Sequence, residues 1–510
     1  METTNLMKPD DALASAHVLR VVPEDEADAL VREALGDPSA DVAGGEVVSE
    51  AEKAEQFSDT ANAASLVKSV NGRARYCASI GWMFFDGRRW AVDQRDGIIE
   101  EAKAVARANV EAAVAEPVDD IRKAMLKAVK GCLSEKRIKA MASLAQSDPA
   151  LRVLATDFDS DPWLLNVLNG TIDLRTGDLR PHRPGDMITK LAPVEYDPAA
   201  ASPTWEAFLY RILDGNQDLI RFLQEAVGYS LTGDVREQVV FLLYGTGANG
   251  KSTFLETLTD MLGDYWAKMN PETLMDQRRF AGSASEDIAL LAGARLVTSV
   301  EVPAGHPLNT SAIKSLTGGD SIQARYLYKS SFTFRPQFKA FVAMNQKPTI
   351  HDPTEGIWRR IRLIPFTVTI PPEERDKKLP ERLRGELPGI LAWAVRGCLG
   401  WQQDGLSTPA DVIAATEGYR KEQDVLAAFL ADCCQVGPGL SVAKKSLVTA
   451  YTTWCQEAGE EPLSTRVFSK LLADRGFGPG RTRSTRTITG LTLIEPMTAE
   501  IGRASCRERV

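Results

Sequence analysis

The feature that most constrains this sequence is a glycine-rich loop between an apolar run and a helical pattern. Residues 245–252 read Gly-Thr-Gly-Ala-Asn-Gly-Lys-Ser and directly follow the apolar residues 239–244. Glycines allow backbone N–H groups to wrap around a phosphate, and the positive end of the following helix dipole faces the anion. The pattern predicts a phosphate-binding loop at the end of a buried strand, with an ordinary glycine turn as the alternative.

This loop predicts ATP and Mg²⁺ as cofactors. Lys251 would contact the β- and γ-phosphates, and Ser252 would hold Mg²⁺. The predicted nucleotide-binding residues continue from the loop into the helix and are Gly245, Thr246, Gly247, Ala248, Asn249, Gly250, Lys251, Ser252 and Thr253.

Two further apolar runs each end on a polar side chain. Residues 296–300 are followed by Glu301, and residues 338–344 are followed by Asn345. Because the carboxyl ends of parallel strands meet at one edge of a sheet, both side chains are expected beside the loop. Glu301 would order Mg²⁺ and polarise the attacking water, and Asn345 would hydrogen-bond the γ-phosphate. An acid after a strand is more often an ordinary loop residue, and no second acid adjoins this one.

Two adjacent arginines, Arg359 and Arg360, precede another strand-like stretch. A guanidinium group stabilises charge that develops during phosphoryl transfer, so the pair suits a finger inserted into a neighbouring subunit's nucleotide site. A surface salt bridge is the simpler interpretation of either arginine taken alone. The predicted catalytic residues are Lys251, Glu301, Asn345, Arg359 and Arg360, and the predicted metal ligands are Ser252 and Glu301.

Together these motifs resemble superfamily 3 helicases, in particular the phage and plasmid primase-helicase family, which is related to poxvirus primase-helicases. The resemblance covers roughly residues 157–493, and its most specific part is Lys-Ser-Leu-Thr-Gly-Gly-Asp at residues 314–320. It implies an AAA+-type P-loop core with a parallel sheet. It also implies a homo-oligomeric, hexameric ring that hydrolyses ATP and moves along DNA while a mobile element is replicated.

The resemblance also implies a hairpin that reaches into the central channel of the ring. Cations there would meet the phosphate backbone and aromatic rings would stack, without reading sequence. Residues 311–370 hold nine basic and three acidic residues, so this region is locally basic. Tyrosines packed into the core are the alternative. The residues predicted to contact single-stranded DNA are Lys314, Arg325, Tyr326, Tyr328 and Lys329.

The C-terminal region reads as three helices followed by a hairpin, the order of a winged helix. The helical patterns lie at residues 425–434, 443–458 and 464–475, and the hairpin at residues 478–493. Winged helices press their third helix and wing against duplex DNA, although some contact proteins instead. The predicted duplex contacts are Arg466, Lys470, Arg481 and Arg483.

Overall charge argues only superficially against a DNA partner. The formal net charge is −9, but the first 60 residues hold fifteen acids and four bases. No secretory or membrane segment is evident, which favours the cytoplasm of a bacterial host cell. Seven cysteines and four histidines without a Cys-x-x-Cys pair argue against a zinc site or a disulfide framework.

The predicted fold class is α/β, with a flanking helical bundle and an N-terminal α+β accessory region. In the accessory region, Asp86-Gly87 predicts a hairpin turn. Alternating Asp157, Asp159 and Asp161 could suggest a priming centre, but such residues more often cap turns. The predicted regions are an acidic disordered tail (1–62), the accessory region (63–200), a helical collar (201–235), the ATPase core (236–372), a helical bundle or linker (373–420), a winged helix (421–500) and a translated sequencing adapter (501–510).

The function predicted from these residues is that of a replicative, ATP-dependent DNA helicase. A complete primase domain is not expected, so a separate primase or host replication proteins are candidate partners. One alternative is an ATP-switched origin-binding scaffold or helicase loader that does not unwind DNA. A soluble P-loop kinase is a second alternative, but it leaves residues 314–320 without an explanation.

Overall fold

The computed structural model describes residues 55–276, 286–300, 307–325, 331–350, 354–481 and 485–494. The described residues form two compact units. The first contains residues 55–173 and 178–196, and the second contains residues 174–177 and those from 197 onward. Among the helices in this part of the chain, none combines the length and the apolar character that crossing a membrane requires.

The first unit combines helices with two small sheets. Its described helices are α1 (Asp59–Val70), α2 (Gly97–Ala115), α3 (Asp119–Val129) and α4 (Glu135–Ala145). Strands β1 (Ala74–Cys77), β2 (Gly81–Phe85), β3 (Trp90–Val92) and β4 (Arg152–Val153) form one sheet in the order β3-β2-β1-β4. Strands β5 (Leu164–Val167), β6 (Gly170–Asp173) and β7 (Asp178–Arg180) form the other.

Local side chains set where the elements of the first unit begin and turn. The Ser58 hydroxyl accepts a hydrogen bond from the Ala61 N–H and caps α1, since the first N–H groups of a helix lack partners within it. Asp86 Oδ1 accepts the N–H groups of Arg88 and Arg89, which forms the predicted turn between β2 and β3. The core between the helices contains Leu66, Val70, Ala102, Leu126 and Met141.

A five-stranded, all-parallel sheet organises the second unit. Its strands are β8 (Val240–Tyr244), β9 (Trp266–Lys268), β10 (Leu296–Val300), β13 (Lys339–Met344) and β14 (Ile361–Pro365). Their order is β14-β8-β13-β10-β9. Strands β8 and β13 are apolar and buried almost throughout, as expected for parallel strands covered on both faces. The predicted α/β class with a parallel sheet is confirmed.

Helices and one hairpin surround this sheet. The helices are α5 (Pro203–Ile212), α6 (Gln217–Leu231), α7 (Lys251–Leu262), α8 (Glu286–Ala289), α9 (Thr310–Thr317), α10 (Glu355–Trp358), α11 (Leu379–Gly385), α12 (Leu387–Asp404) and α13 (Ala410–Glu422). The antiparallel hairpin pairs β11 (Ile322–Arg325) with β12 (Ser331–Phe334). The region predicted as a helical collar (201–235) contains two helices, because Asp214 and Gly215 adopt positive φ and Asn216 caps a new helix.

Helices α6 and α12 approach each other through their backbones. A Cβ atom on Gly228 would lie 2.0 Å from the Cys398 nitrogen, and one on Gly397 would lie 2.1 Å from the Gln224 carbonyl oxygen. Only glycine permits this approach. Helices α6 and α12 therefore pack directly on each other within one chain.

Two buried basic side chains hold the C-terminal end of α6. Arg295 donates to the Leu231 carbonyl at 2.7 Å, and Lys339 donates to the Thr232 carbonyl at 2.5 Å. The last carbonyl groups of a helix lack partners within it. These two donors therefore fix α6 just before the chain enters β8.

The C-terminal cluster (residues 425–481 and 485–494) packs three helices against a three-stranded sheet. Its elements are α14 (Val425–Cys433), β15 (Cys434–Ala443), α15 (Lys444–Ala458), α16 (Thr465–Asp474), β16 (Pro479–Arg481) and β17 (Arg486–Leu493). The core contains Phe429, Tyr451, Phe468, Leu472 and Leu491. Strand β15 is not predicted from the sequence, because its Gly-Pro-Gly stretch at residues 437–439 resembles a loop, whereas pairing with β17 continues on both sides of it.

Candidate nucleotide-binding site

The glycine-rich loop joins the carboxyl end of β8 to the first turn of α7. Gly247 and Gly250 have φ values of 108° and 83°, which favour glycine. A Cβ atom on Gly245 would lie 2.3 Å from the Phe366 carbonyl oxygen, so that position has no room for a side chain. The Ile370 N–H donates to the Ala248 carbonyl at 2.7 Å and holds the loop from outside. The conformation of the loop thus requires glycine at these three positions.

Lys251 points back into this loop from the first position of α7. Its side chain is 5% exposed, and Nζ donates to the Gly245 carbonyl at 2.6 Å, to Asn249 Oδ1 at 3.1 Å and to Asn345 Oδ1 at 3.3 Å. Burial lowers the pKa of the Lys251 ammonium to about 8, because removal from water disfavours the charged form. Neighbouring Ser252 is exposed. Three oxygen acceptors therefore hold the Lys251 ammonium in place. A phosphate oxygen could replace one of these acceptors.

Asn345 reaches the same place from a different strand. It follows the end of β13, which lies beside β8 in the sheet, and the Lys251 contact joins the two strand ends. The structure thus brings together Lys251 and Asn345, which are 94 residues apart in sequence. Strand β10 is the next neighbour and ends at Val300. Glu301 lies outside the described residues, so its predicted role stays a prediction.

A cavity of about 700 Å³ opens beside the loop. This volume is within the usual range for small-molecule sites. At its rim Arg211 donates to Glu374 at 2.8 Å. No motif marks the cavity in the sequence, although Phe208 and Ile212 are four residues apart on one face of α5. Residues lining it include Phe208, Ile212, Gly250, Thr253, Ile370 and Leu379.

The adjacent arginines at the start of β14 have different environments. Arg360 is 9% exposed and donates to the Gly356 carbonyl at 2.6 Å, to Gln238 Oε1 at 3.1 Å and to Thr317 Oγ1 at 3.2 Å. Arg359 is exposed, and its bond to Gln238 Oε1 measures 3.3 Å. Arg360 therefore makes its contacts inside the fold, whereas Arg359 is exposed, and the finger role of the two arginines stays a prediction.

Both arginines lie at the opposite end of the sheet from the loop of their own chain. Strand β14 pairs with β8 from Ile361 opposite Val240 to Pro365 opposite Tyr244, and the loop follows Tyr244. A five-residue strand spans roughly 13 Å between its first and last residues, at about 3.3 Å per residue. Arg359 is thus separated from its own loop by the length of the sheet.

The residues predicted to contact single-stranded DNA are only partly described. The β11–β12 hairpin forms as expected, and Arg325 ends β11 with an exposed side chain. Lys314 lies on α9, and its Nζ is 3.4 Å from Thr354 Oγ1. Tyr326, Tyr328 and Lys329 lie outside the described residues.

Two of the predicted duplex contacts share one face of helix α16 in the C-terminal cluster. Arg466 and Lys470 are exposed and four residues apart on α16, so they lie on the same face of that helix. The Ser464 hydroxyl accepts the Val467 N–H at 3.4 Å and caps the helix. Arg481 is exposed at the end of β16, and Arg483 lies outside the described residues.

The three alternating aspartates of the first unit are engaged by the backbone. Asp157 Oδ2 accepts the Leu154 N–H at 2.8 Å, Asp159 Oδ1 accepts the Thr189 N–H at 2.8 Å, and Asp161 Oδ1 accepts the Trp163 N–H at 2.9 Å. The bonds of Asp157 and Asp161 are local, as in turn capping, whereas the bond of Asp159 joins two segments thirty residues apart.

Comparisons with known proteins find similar sequences over two regions of this chain. Residues 63–214 match the family described as "D5 N terminal like", and residues 243–360 match a family described as of unknown function. A protein of Acanthamoeba polyphaga mimivirus named as a candidate helicase is 31% identical over 316 residues, which cover 58% of this chain and 32% of that protein.

Two other viral relatives cover a similar share of the chain. A Frog virus 3 protein named as a candidate helicase is 26% identical over 378 residues, covering 58% of this chain and 39% of its own length. An African swine fever virus protein named as a candidate primase is 25% identical over 325 residues, covering 58% of this chain and 33% of its own length. The chain thus spans about a third of the length of these curated relatives.

Among solved structures, the apo structure of the NrS-1 C-terminal region aligns with 84% of this chain and 98% of that chain. Its TM-score is 0.43 and its sequence identity is 10%, a likeness too low to add to the fold assignment. The parallel sheet defines an α/β protein, and the sequence is similar to viral proteins named as candidate helicases and a candidate primase. Residues 63–214 match the D5 N-terminal-like family.

Proposed function

We propose that this chain is the motor of an ATP-dependent DNA helicase with an AAA+-type P-loop core. The observation that carries the proposal is the hydrogen bond between Lys251 and Asn345, at the carboxyl ends of neighbouring parallel strands. A cation and an amide placed together there can contact a terminal phosphate and report whether it is present. The match to the D5 N-terminal-like family and the similarity to viral candidate helicases support the same proposal.

The residues of the loop fit a nucleoside triphosphate with Mg²⁺. The space that Gly245 leaves, the positive φ values of Gly247 and Gly250, and the start of α7 provide an anion cradle. Ser252 and Glu301 would hold Mg²⁺, which would neutralise phosphate charge. Lys251 would exchange its bond to the Gly245 carbonyl for one to a phosphate oxygen. The adjoining cavity, with Phe208 and Ile212 as an apolar wall, would receive the nucleoside.

Arg359 would act on the nucleotide of a neighbouring subunit. It is exposed, and it lies across the sheet from the loop of its own chain. An arginine supplied by another subunit stabilises transition-state charge and couples hydrolysis to assembly. We extend this to a ring of identical subunits, a hexamer as the family resemblance implies. A head-to-tail contact closes into such a ring when its rotation closes.

DNA would be contacted at two places in the second unit. The β11–β12 hairpin, with Arg325 and the residues that follow it, would contact single-stranded DNA inside the ring. The C-terminal cluster would act as a winged helix, with Arg466 and Lys470 of α16 placed toward duplex DNA. Nucleotide hydrolysis would move the hairpin, and strand separation would follow.

Strand displacement on a forked DNA substrate tests this function. Wild-type protein with ATP and Mg²⁺ is expected to separate the strands, with ATPase activity stimulated by single-stranded DNA, whereas Lys251→Ala does neither. A wild-type protein that binds DNA in an ATP-dependent manner without displacing a strand would instead be an origin-binding scaffold or helicase loader.

Subunit mixing tests the shared site separately. Lys251→Ala and Arg359→Ala proteins are each expected to be inactive. Random mixing in a ring should restore about a quarter of the sites, those with an intact loop facing an intact finger. A mixture as inactive as its components would contradict the assignment of Arg359 to a neighbour's site.

A further inference from the structure

A row of exposed lysines on the first unit has no role in the site described above. Lys123 and Lys127 lie on α3, Lys130 follows its last residue, and Lys136 lies in the first turn of α4. All four are exposed. Spacings of four and three residues put the first three on one side of α3, while Met125, Leu126 and Val129 on another side enter the core. We call these four residues the lysine face.

The lysine face carries charge that the fold leaves uncompensated. In the described chain, nearby cations form ion pairs, including Arg122 with Asp119 and Lys139 with Glu135. Within the same described ranges, no ion pair involves a residue of the lysine face. Lys127 and Lys130 at the C-terminal end of α3 interact favourably with the helix dipole, whereas Lys123 and Lys127, four residues apart, repel each other. No carboxylate within the described chain neutralises these ammonium groups, so they stay available to a polyanion.

The surrounding sequence concentrates this charge. Residues 119–145, from the start of α3 to the end of α4, contain seven lysines and arginines and three acids, a formal charge of +4. Residues 55–196 contain 20 basic and 20 acidic residues, so the rest of that range carries −4. The positive field is therefore local to α3, α4 and the turn between them, which is the pattern of an electrostatic binding surface.

We propose that the lysine face binds the phosphate backbone of DNA, as a contact additional to those of the second unit. Lysine ammonium groups are flexible point charges, and the face contains no aromatic or amide side chain that could read a base. Lys123 and Lys127 are separated by roughly 6 Å along the helix axis, and Lys127 and Lys130 by roughly 4.5 Å, so extended side chains can reach successive phosphates. The choice of DNA as the polyanion rests on the proposed function.

The test compares two charge-reversal variants of the full chain. One combines Lys123→Glu, Lys127→Glu and Lys130→Glu. The matched control combines Lys68→Glu, Arg88→Glu and Arg95→Glu, which are exposed cations of the same unit outside α3 and α4. Both variants change the net charge by the same amount. Binding of a labelled duplex and a labelled single strand is measured by fluorescence anisotropy between 50 and 200 mM salt, beside the ATPase rate without DNA.

The lysine-face variant is expected to bind duplex DNA more weakly at low salt by on the order of tenfold or more. Its plot of log affinity against log salt should be shallower by about 2.7, since each phosphate contact contributes roughly 0.9. The control should stay within about twofold of wild type, and the basal ATPase rates should agree. The corresponding Lys→Gln triple variant, which adds no repulsion, should show a smaller loss of the same sign.

Two results would overturn the inference alone. The first is that the wild-type protein binds DNA and the lysine-face variant keeps the same affinity and the same salt slope. This result is also expected if the lysine face binds the acidic residues 1–54 instead of DNA. The other is equal weakening by both triple variants, which would show a general charge effect. Wild-type protein that neither binds DNA nor responds to it would overturn the proposed function as well.

Discussion

Lys251 and the lysine face show two opposite ways in which a protein holds a cation. Lys251 is almost fully buried and donates to three oxygen atoms of its own chain. The lysine face is exposed to solvent, and its residues form no ion pair within the described chain. A buried cation with fixed acceptors is ready for one ligand atom in one place, whereas exposed cations attract a polyanion over a wide surface. The acceptors around a lysine thus indicate its use better than the charge itself.

Removing one lysine of each kind tests most directly whether the buried and the exposed lysines have different roles. Lys251→Ala is expected to lower the ATPase turnover number by about 10²–10³-fold, the usual effect of losing a preorganised donor to developing charge. Lys127→Ala should leave basal turnover within about twofold. Steady-state ATPase assays check both. Comparable losses in the two variants would mean that burial and bonding do not distinguish these lysines.

Asn345 provides a second and smaller contrast at the same site. Asn345→Ala is expected to lower the turnover number by roughly 10–100-fold, because the amide would act on the reacting phosphate, while nucleotide affinity changes much less. The matched control is Gln346→Ala, which removes the next exposed amide. Equal effects of the two changes on turnover would contradict a specific role for Asn345.

The adjacent arginines repeat the contrast between buried and exposed cations in terms of stability. Arg360→Ala should lower the free energy of unfolding by about 1–3 kcal/mol, since Gln238, Thr317 and the Gly356 carbonyl lose their donor. Arg359→Ala should change it by roughly 0.5 kcal/mol or less. Denaturant titration measures both. A larger loss for Arg359 would reverse our assignment of the finger.

The pH dependence of nucleotide binding tests whether burial of Lys251 affects its protonation. Burial lowers the pKa of Lys251 to about 8. Phosphate binding requires the ammonium form, so above about pH 8 the free protein must take up a proton when it binds. The dissociation constant for ATP should therefore rise with pH above 8, approaching about tenfold per pH unit. Lys251→Ala should lack this rise, and a rise retained in that variant would assign it to another group.

The phosphate loop and the strand beside it were predictable because their requirements are local. Gly245, Gly247 and Gly250 mark positions where a side chain or an ordinary φ is not allowed, so the sequence displays the constraint directly. Placing Asn345 next to Lys251 needed one more step, that neighbouring parallel strands end at a common edge. The hairpin turn at Asp86-Gly87 is equally local.

Other features could not be predicted because they depend on distant parts of the chain. Strand β15 exists through pairing with β17, about fifty residues later, despite a Gly-Pro-Gly stretch that disfavours strands. The cavity beside the loop is formed by Phe208 of α5 and by residues around Ile370, which share no motif. The lysine face required knowing which lysines form ion pairs. The different burial of Arg359 and Arg360 depends on contacts with Gln238 and Thr317, which are distant in the sequence.

The crossing of α6 and α12 at Gly228 and Gly397 has a mechanical consequence. Their separation is set by main-chain atoms in contact, so rotamer changes cannot widen or narrow it. The pair should behave as a stiff strut when the strand ends around the nucleotide rearrange. A spectroscopic ruler with one label on each of these two helices should read the same distance through the whole hydrolytic cycle.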